Sequence, residues 1–364
     1  GLRLTDLELI IEEKGREIGA NLPADSYLNF SIVLKNRKSW AEPGHDITFK
    51  QYKLPFIFDR LYHPAQSHLK NKDLRVQESD LYLKIEGSDF DIYFDKGSGQ
   101  LNDYLYRGKS LLERGAKLSF WRAPIDNDNT DITHNYTTVW KEEGIDQLSQ
   151  RLDEIKVLEA KANFVLVKSR YTIAPAAKDL IIKAELEYKI YDNGEVELKT
   201  AGEFVDQKEH SLPRIGLELE LSQDLKNISW FGRGPGESYS DSKRAAFIDL
   251  FTKEIGELHT PYVYPQDNGN RSETKWLELK NRVGAGIEFY NSKEFDFTAH
   301  CYSKKDLELA QHDCELPFRD KIYLELIHQN RGLGSTSCGP KALEKYELKV
   351  KDFEFQINFK GIDY

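Results

Sequence analysis

The sequence contains few of the features that mark secreted or membrane proteins. Its 364 residues include three cysteines and no methionine. An odd and sparse set of cysteines cannot form a complete disulfide framework and is typical of a reducing compartment. No apolar run approaches the roughly 20 residues that cross a bilayer as a helix. These absences exclude a disulfide-stabilised scaffold and a helical membrane protein, and we expect a cytoplasmic location.

Positive charge is also scarce. Lys and Arg number 51 against 61 Asp and Glu, which gives a net charge of −10 and a pI near 5.5. Proteins that bind nucleic acids carry basic surfaces, so we expect neither a nucleic-acid partner nor a membrane partner. The chain opens with Gly1 rather than an initiator methionine. We therefore interpret it as a processed or truncated product, whose missing part could have held an export signal.

The sequence is rich in alternating apolar and polar residues. Between residues 180 and 198, Ile182 and Leu186 alternate with charged residues, as in a strand with one buried and one solvated face. Asn193-Gly194 then offers the positive φ angles of a tight hairpin. A hydrophobic content of 39% and an aromatic content of 12% are sufficient for a real core. The pattern predicts a large antiparallel all-β protein.

The strand pattern divides the chain into residues 1–56, a linker at 57–78 and a large antiparallel domain at 79–364. An immunoglobulin-like sandwich needs about seven strands and roughly 100 residues, so the first region is predicted to be only a partial immunoglobulin-like β-sandwich. Its predicted strands are Leu7 to Ile11, Tyr27 to Leu34 and Ile47 to Lys53.

Helical patterns are rare. The sequence predicts one helix within Thr133 to Glu143. A second is predicted to end at Ala310, with Ser303 as its N-cap and Asp306 at the third position of a near capping box.

Four loop segments interrupt the alternation with Gly, Pro and polar residues. Each combines aromatic residues with Asp, Asn, Glu or Arg, which suit sugars because a sugar ring packs on an aromatic face and its hydroxyls bond amides and carboxylates. The same residue types also build turns and pin long loops, so a structural role is the alternative for each segment. The segments are Phe120 to Asp128, Trp230 to Tyr239, Thr260 to Arg271 and Gln329 to Pro340.

One pair of carboxylates in these loops suggests acid–base or cation chemistry. Asp126 and Asp128 are two residues apart, and on an extended chain their side chains would point the same way. Hydrogen bonding within the loop is the alternative. The glycine-rich segment from Gly232 to Gly236 lacks the Gly-Lys-Ser/Thr ending and the following helix of a phosphate-binding loop.

The histidines and cysteines offer only a weak metal signal. His300 and Cys301, with His312 and Cys314, resemble a zinc set, but adjacent residues on a strand face opposite sides. We therefore expect no metal site. His259 and His328 are predicted to be structural, hydrogen-bonded histidines.

Taken in order, four motifs resemble the C-terminal region of the β-galactosidases of glycoside hydrolase family 2, including the small subunit of heterodimeric members. The resemblance covers most of the chain. Each motif alone would be weak, but four in the same order on an all-β chain are specific. The motifs are Trp40 to His45, Trp121 to Asp128, Trp230 to Tyr239 and Tyr262 to Arg271.

The resemblance implies a supersandwich with galactose mutarotase-like topology, preceded by half of a second immunoglobulin-like domain. It also implies that the catalytic glutamate pair, and the Mg and Na sites, lie on a TIM barrel outside this chain. Retaining hydrolysis needs two carboxyl groups about 5–5.5 Å apart, and no glutamate here matches the barrel motifs. The segment is therefore expected to have no catalytic residue and no cofactor of its own, and to be inactive alone.

The resemblance further implies that the last domain lends its fourth loop, Gln329 to Pro340, to the active site. At the position where some members place a sugar-stacking tryptophan this chain has Cys338 or its neighbour, so either another aromatic supplies the stacking face or the aglycone binds differently. A small buried filler is the alternative role for Cys338. The candidates for sugar binding or the pocket wall are Trp121, Arg122, Asp126, Asn127, Asp128, Glu237, Asn268, Arg271 and Cys338.

The function implied is the C-terminal segment of an enzyme that hydrolyses terminal β-D-galactosides. Its expected partners are the TIM-barrel portion or large subunit of the same enzyme and the β-galactoside, with a homo-oligomer as a further expectation. Two alternatives are a carbohydrate-binding module without catalysis and a mutarotase-like epimerase. The epimerase would need a histidine and a glutamate in one groove, and no mutarotase motif surrounds the histidines.

Overall fold

A computed structural model describes residues 26–54, 74–129, 135–205 and 211–363. The chain divides into two compact units, Gly1–Leu69 and Lys70–Tyr364.

The first unit contains an antiparallel pair of strands, β1 (Tyr27–Val33) and β2 (Asp46–Lys53). Both agree with the predicted strands to within a residue. The predicted strand at Leu7 to Ile11 lies outside the described residues, so the partial immunoglobulin-like sandwich stays a prediction. The linker predicted at 57–78 contains the boundary between the units, and its last residues form a strand of the second unit.

The described residues of the second unit form one branched antiparallel sheet of sixteen strands. This confirms the prediction of an all-β chain built on a large antiparallel sheet. The strands are β3 (Arg75–Glu78), β4 (Tyr82–Glu86), β5 (Phe90–Asp95), β6 (Leu101–Tyr106), β7 (Lys109–Ser119), β8 (Ser149–Ala160), β9 (Phe164–Ala174), β10 (Ile182–Tyr191), β11 (Val196–Phe204), β12 (Arg214–Ser222), β13 (Asn227–Gly234), β14 (Phe247–Glu254), β15 (Arg271–Lys280), β16 (Gly286–His300), β17 (Lys321–Asn330) and β18 (Phe353–Ile362).

The spatial order of the strands differs from their order along the chain. The main path runs β3-β4-β5-β6-β7-β12-β17-β16-β18-β11-β10-β9-β8. A branch leaves β16 through β15 to β13 and then to β14. The last strand, β18, therefore lies inside the sheet, between β16 and β11.

Local sequence explains the elements. Gly194 adopts a φ of +83° in the turn between β10 and β11, as the Asn193-Gly194 pair predicts. The alternating residues of β10, such as Ile182 and Leu186, are fully buried in the core. The core thus consists of the inward-facing residues of the strands, which is what period-two alternation produces.

In the described residues, three short helices interrupt the strands: Asp126–Asn129, Tyr136–Glu142 and Lys304–Leu309. The second lies within the predicted range Thr133 to Glu143. The third is confirmed with its capping box, in which the Ser303 hydroxyl accepts from the Asp306 N–H at 3.2 Å and the Asp306 carboxylate accepts from the Ser303 N–H at 2.9 Å. Single turns of 3₁₀ helix occur at Ile145–Gln147, Lys243–Ala245, Ile255–Leu258, Asp313–Glu315 and Glu344–Tyr346.

In the parts of the chain that the structure describes, no helix is long and apolar enough to cross a membrane.

Candidate functional site

The four loop segments come together in space. The first follows β7, the second extends from β13, the third precedes β15 and the fourth follows β17. The Asn127 amide donates to the Gly334 carbonyl at 2.9 Å, and the Asp126 N–H donates to the Gln266 side chain at 3.0 Å. The Gly269 N–H donates to a carboxylate oxygen of the second segment, that of Glu237, at 2.8 Å. We call these segments (residues 120–128, 230–239, 260–271 and 329–340) the loop cluster.

A buried ion network joins the first and fourth loops. Arg122 and Arg331 both donate to Asp128, at 3.0 and 3.1 Å. Arg331 also makes a two-pronged contact with Glu347, at 2.9 and 3.0 Å, and its guanidinium lies 3.6 Å from the centre of the Tyr136 ring. Arg122, Asp128 and Arg331 are almost completely buried. Because each buried charge has opposite charges around it, the network can hold the two loops together without an unpaired ion.

The two aspartates do not act as the pair that an extended chain would produce. Asp126–Asn129 is a helical turn, and in a helix the side chains of residues two positions apart point in different directions. Asp128 is buried against Arg122 and Arg331, whereas Asp126 is exposed and its carboxylate accepts from the Gln266 amide at 3.3 Å. The extended geometry on which the shared-cation and acid–base hypotheses were based is therefore wrong, and both residues make the hydrogen bonds within the loops that the alternative predicts.

A second buried network lies under the third loop. Arg214 donates to Asp267 at 2.8 Å and also contacts Glu325, and the Tyr239 hydroxyl donates to Asp267 at 2.9 Å. The Lys304 ammonium lies 2.7 Å from Glu325. Burial alone would raise the pKa of Glu325, but the charges of Arg214 and Lys304 outweigh it and lower that pKa to about 2.

Arg271 joins the second and third loops in a different way. Its guanidinium donates to the carbonyl groups of Leu258 at 3.0 Å, Gly269 at 2.6 Å and Pro235 at 3.1 Å. Burial lowers the pKa of Arg271 to about 10. The side chain therefore closes the loops through carbonyl oxygens.

Glu237 makes the complementary contact at the surface of the same loops. It accepts from the Gly269 N–H and from the Tyr262 hydroxyl. Burial and this contact raise the pKa of Tyr262. Glu237 thus connects the second loop to the exposed tip of the third.

Two more of the predicted site residues are buried inside the cluster. Asn268 accepts from the Thr260 N–H and donates to the Gln266 carbonyl, both at 3.0 Å. Trp121 is 9% exposed, packs edge-on against Trp140 with ring centres 6.0 Å apart, and donates from its indole nitrogen to Glu308. These contacts leave little of the Trp121 ring for a sugar to stack on.

Cys338 lies at the surface. Its thiol is free and exposed, and its N–H donates to the Ser335 carbonyl at 3.1 Å. The alternative role as a buried filler is therefore wrong. Asn127, which accepts from the Ser337 N–H at 3.0 Å, connects this tip of the fourth loop to the first loop.

Sequence reasoning missed the most exposed aromatic residues of the cluster. Tyr262 and Tyr264 are 36% and 47% exposed, and Val263 between them is 89% exposed. The Gln266 amide donates to the Tyr264 carbonyl at 3.1 Å as well as to Asp126, so Tyr264 lies beside the first loop. The signal that could have found them is Pro261 and Pro265, which bracket the tripeptide and prevent it from joining a strand ladder.

The histidines contribute to packing. His259 lies 2.5 Å from the Tyr302 hydroxyl and 2.6 Å from Asp313, as expected of a hydrogen-bonded structural histidine. His328 stacks on Phe355 with ring centres 4.8 Å apart. His300 is buried, its Nε2 lies 3.1 Å from the Asn268 carbonyl, and burial lowers its pKa to about 3. Across the described ranges, no three or more His, Cys, Asp or Glu side chains are grouped to hold a metal ion.

The fold and the cluster together define a large antiparallel β domain whose loops are tied at one site by buried ions. The sequence signature described as the beta galactosidase small chain matches residues 86–359. The chain therefore belongs to the β-galactosidase small-chain family.

Curated relatives are named β-galactosidase. The protein from Kluyveromyces lactis is 29% identical over 94% of this chain and 33% of its own length. Those from Priestia megaterium and Psychromonas ingrahamii are 26% and 29% identical over 84% and 97% of this chain, and 28% and 33% of their own lengths. The chain thus spans about a third of the length of the curated relatives that it matches.

Similar solved structures include a galactose 1-epimerase from Lactobacillus acidophilus, with a TM-score of 0.41 and 10% identity over 80% of this chain and 99% of that one. An aldose epimerase homologue from C. elegans has a TM-score of 0.42 and 10% identity, over 79% and 99% of the two chains.

Proposed function

We propose that this chain is the C-terminal segment of a glycoside hydrolase family 2 β-galactosidase, acting in the cytoplasm on terminal β-D-galactosides. The catalytic barrel would be supplied by another portion or subunit, and the loop cluster would complete one wall of its active site. The observation that carries the proposal is the cluster itself. Buried ion networks hold four loops together and leave Asp126, Asn127, Glu237 and two tyrosines at or near the surface. The match of a small-chain family to three quarters of a chain that is a third of its relatives' length supports it.

The carboxylates of the cluster support a positioning role and not a catalytic one. Retaining hydrolysis needs two carboxyl groups facing the bond about 5–5.5 Å apart. Asp128 and Asp267 are buried and paired with arginines, and Glu237 is occupied by a backbone N–H and a tyrosine hydroxyl. The loops would therefore bind and orient the substrate while the barrel performs the chemistry.

The Mg and Na ions implied by the family resemblance are assigned by this proposal to the barrel portion, as expected from the resemblance. The barrel portion would hold these ions, and no step in this chain depends on them. The same portion and the β-galactoside are the proposed partners.

Tyr264 is the residue that we propose as the stacking face for the sugar or aglycone, in place of a tryptophan at position 338. Tyr264 is 47% exposed, and the Gln266 amide that donates to its backbone carbonyl also donates to the exposed carboxylate of Asp126. An exposed aromatic residue in the same loop cluster as a carboxylate and an amide offers both kinds of contact that a sugar needs.

A carbohydrate-binding module without catalysis is the second candidate, because the same exposed tyrosine and carboxylate would also serve free sugar. It predicts measurable affinity of the chain alone for galactosides. The mutarotase-like alternative has less support, since the site histidines His259 and His300 are occupied by Tyr302, Asp313 and the Asn268 carbonyl.

Hydrolysis of a chromogenic β-galactoside tests the proposal. We expect no turnover by this chain alone, and turnover when it is mixed with the separately purified barrel-carrying polypeptide encoded in the same genome. Turnover by the chain alone would overturn the assignment of chemistry to the barrel. An inactive mixture in which the chain alone binds galactosides would favour the binding module.

A further inference from the structure

The fourth loop of the cluster contacts a carboxylate that the sequence analysis did not select. Asp241 follows the end of the second loop by two residues. One of its carboxylate oxygens accepts from the Leu333 N–H at 3.0 Å, and the other accepts from the Gly334 N–H at 2.8 Å. Two consecutive backbone N–H groups thus point at one carboxylate, an arrangement with which the backbone binds anions.

The contact between Asp241 and the fourth loop is strong and close. Hydrogen bonds to an ionised group are roughly twice as strong as those between neutral groups. A Cβ at Gly332 would lie 2.9 Å from the Asp241 carboxylate, so the backbone of the loop approaches Asp241 more closely than a larger residue would allow. The carboxylate therefore restrains the backbone at three successive positions of the loop.

Asp241 is itself presented by a well-anchored turn. The Tyr239 carbonyl accepts from the Ser242 N–H at 3.0 Å, and the Ser242 hydroxyl accepts from the Tyr239 N–H at 2.9 Å. Tyr239 is buried, and its hydroxyl donates to Asp267 in the second buried network. The support of the carboxylate thus extends into the buried part of the loop cluster.

Gly334 is held from both sides. Its N–H donates to Asp241, and its carbonyl accepts from the Asn127 amide at 2.9 Å. Beyond Gly334, the tip of the loop from Ser335 to Cys338 is mostly exposed. The position of this tip therefore depends on two side chains, one from the first loop and one that follows the second loop.

We propose that Asp241 is a positioning residue, which fixes the tip of the fourth loop in the shape that the active site needs to bind its substrate. This inference rests on the proposed function, in which the loop cluster forms one wall of that site. A binding site works well only when its parts are held to within about 0.5 Å of the productive geometry. Asp241 contacts no reacting atom in this role and acts through the backbone of the loop.

Hydrogen exchange of the full chain alone tests the contact. Asp241→Asn replaces one acceptor oxygen by an NH₂ group, so one of the two N–H groups loses its acceptor. We expect the amides of Leu333 and Gly334 to exchange at least about tenfold faster. Asp249→Asn is the matched control, because the exposed Asp249 accepts from the N–H of its neighbour Leu250 on a different strand. Unchanged exchange in Asp241→Asn would overturn the proposal.

A second variant tests the same contact from the side of the loop. The Cβ added by Gly332→Ala would push the backbone away from the Asp241 carboxylate. We therefore expect the same amides to exchange faster, and this variant keeps the test decisive if Asp241→Asn does not fold. A folded Gly332→Ala chain with unchanged exchange would contradict the close contact.

Steady-state kinetics of the assembled enzyme test the effect on the active site. We expect Asp241→Asn to raise the KM for a chromogenic β-galactoside about fivefold and to leave kcat within about twofold, because only the binding of the substrate is weakened. A merely structural role would lower kcat through a smaller folded fraction and leave KM unchanged. Asp249→Asn should change neither constant. An unchanged KM would overturn the proposal even if exchange is faster.

The two experiments separate this inference from the proposed function. Faster exchange in Asp241→Asn together with an inactive mixture would reject the proposed activity and the role of Asp241 in it, although the contact with the loop would stand. An active mixture in which Asp241→Asn leaves KM unchanged would keep the proposed activity and reject the role of Asp241.

Discussion

At the scale of single residues, the site divides into side chains that hold the loops and side chains that face outward. Arg122, Asp128 and Arg271 belong to the first group, and Asp126 and Tyr264 to the second. Members of the two groups can be close in the chain. Asp126 and Asp128 are two residues apart, but a helical turn gives their side chains different surroundings. Substitutions at neighbouring positions should therefore affect different properties of the protein.

Asp128→Asn should destabilise the second unit. It removes the carboxylate that Arg122 and Arg331 share and leaves the buried charge of Arg122 without this partner, while Arg331 keeps its contact with Glu347. We expect the free energy of unfolding to fall by roughly 3–5 kcal/mol, the cost of breaking a buried ion pair. Denaturant unfolding checks this, with Asp126→Asn as the matched control that should leave stability nearly unchanged. Equal losses in the two variants would contradict the division between buried and exposed aspartates.

Tyr264→Ala should reduce hydrolysis by the assembled enzyme without affecting folding. An aromatic contact contributes on the order of 1 kcal/mol, so we expect kcat/KM to fall by about fivefold, mostly through KM. Steady-state kinetics of the mixture would measure this, with Val263→Ala, at the more exposed neighbouring position, as the control. An unchanged kcat/KM would show that Tyr264 does not contact the substrate.

The sequence analysis selected these loops as the candidate site, but residue types alone could not separate the two groups. Arg–Asp pairs are common in long β loops, but the partners here are far apart in the sequence. Arg331 pairs with Asp128, and Arg214 pairs with Glu325. Trp121 was expected at a sugar-facing wall because tryptophan suits stacking, and its 9% exposure follows from packing on Trp140. Neither contact can be derived from residue type or local spacing.

At the scale of elements, the alternation of residues predicts strands wherever one face is buried. It located β1, β2, β10 and β11 closely. It missed β3 (Arg75–Glu78), which was assigned to the linker, because all four of its residues are exposed and no alternation of burial exists to shape its sequence. Short edge strands are therefore the elements least visible in a sequence.

The hairpin between β10 and β11 depends on one glycine. Gly194 has a φ of +83°, and a Cβ there would lie 3.0 Å from both the Phe90 ring and the Tyr104 hydroxyl. We expect Gly194→Ala to lower the free energy of unfolding by about 1–2 kcal/mol, the cost of a left-handed conformation for a residue with a Cβ. Gly256→Ala is the control, since a Cβ at Gly256 meets nothing within 4 Å. Thermal unfolding of both variants measures the effect. If Gly194→Ala unfolds at the same temperature as the unchanged chain, the steric argument is wrong.

Strand β17 contains Glu325, a charged residue whose contribution to the stability of the fold depends on pH. Folding lowers the pKa of Glu325 from 4.5 to about 2, because Arg214 and Lys304 outweigh burial. A carboxyl with a lowered pKa stabilises the fold fully above pH 4.5 and loses that contribution as the pH falls toward 2. Glu325→Gln should therefore lower the free energy of unfolding by roughly 3–5 kcal/mol at pH 7.

The difference in the free energy of unfolding between Glu325→Gln and the unchanged chain should become smaller as the pH falls from 4.5 to 2, because Glu325 itself becomes neutral there. Unfolding curves across this range measure the effect. Glu354→Gln, on the exposed face of β18, is the matched control and should leave the free energy of unfolding at pH 7 nearly unchanged. A gap for Glu325→Gln that stays constant with pH would contradict the assigned pKa.

At the scale of the whole molecule, composition and alternation were enough to predict a large antiparallel all-β chain. The order of the strands was not derivable, because antiparallel strands can neighbour each other in many arrangements that satisfy the same alternation. Whether the four loops meet could not be derived from the sequence either, because their positions in the fold depend on the order of the strands. The structure shows that they do meet, through hydrogen bonds such as that from the Asn127 amide to the Gly334 carbonyl.

The position of β18 affects how the protein can be synthesised. Among the described strands, β11 pairs only with β10 and β18, so the four-stranded meander from β8 to β11 joins the rest of the sheet through β18 alone. During synthesis β18 emerges after every other strand of this sheet. Until then the edge of the meander at β11 remains unpaired. A nascent chain stalled before Phe353 would therefore contain two separate parts of the sheet. Their unpaired strand edges are the surfaces that a chaperone would bind.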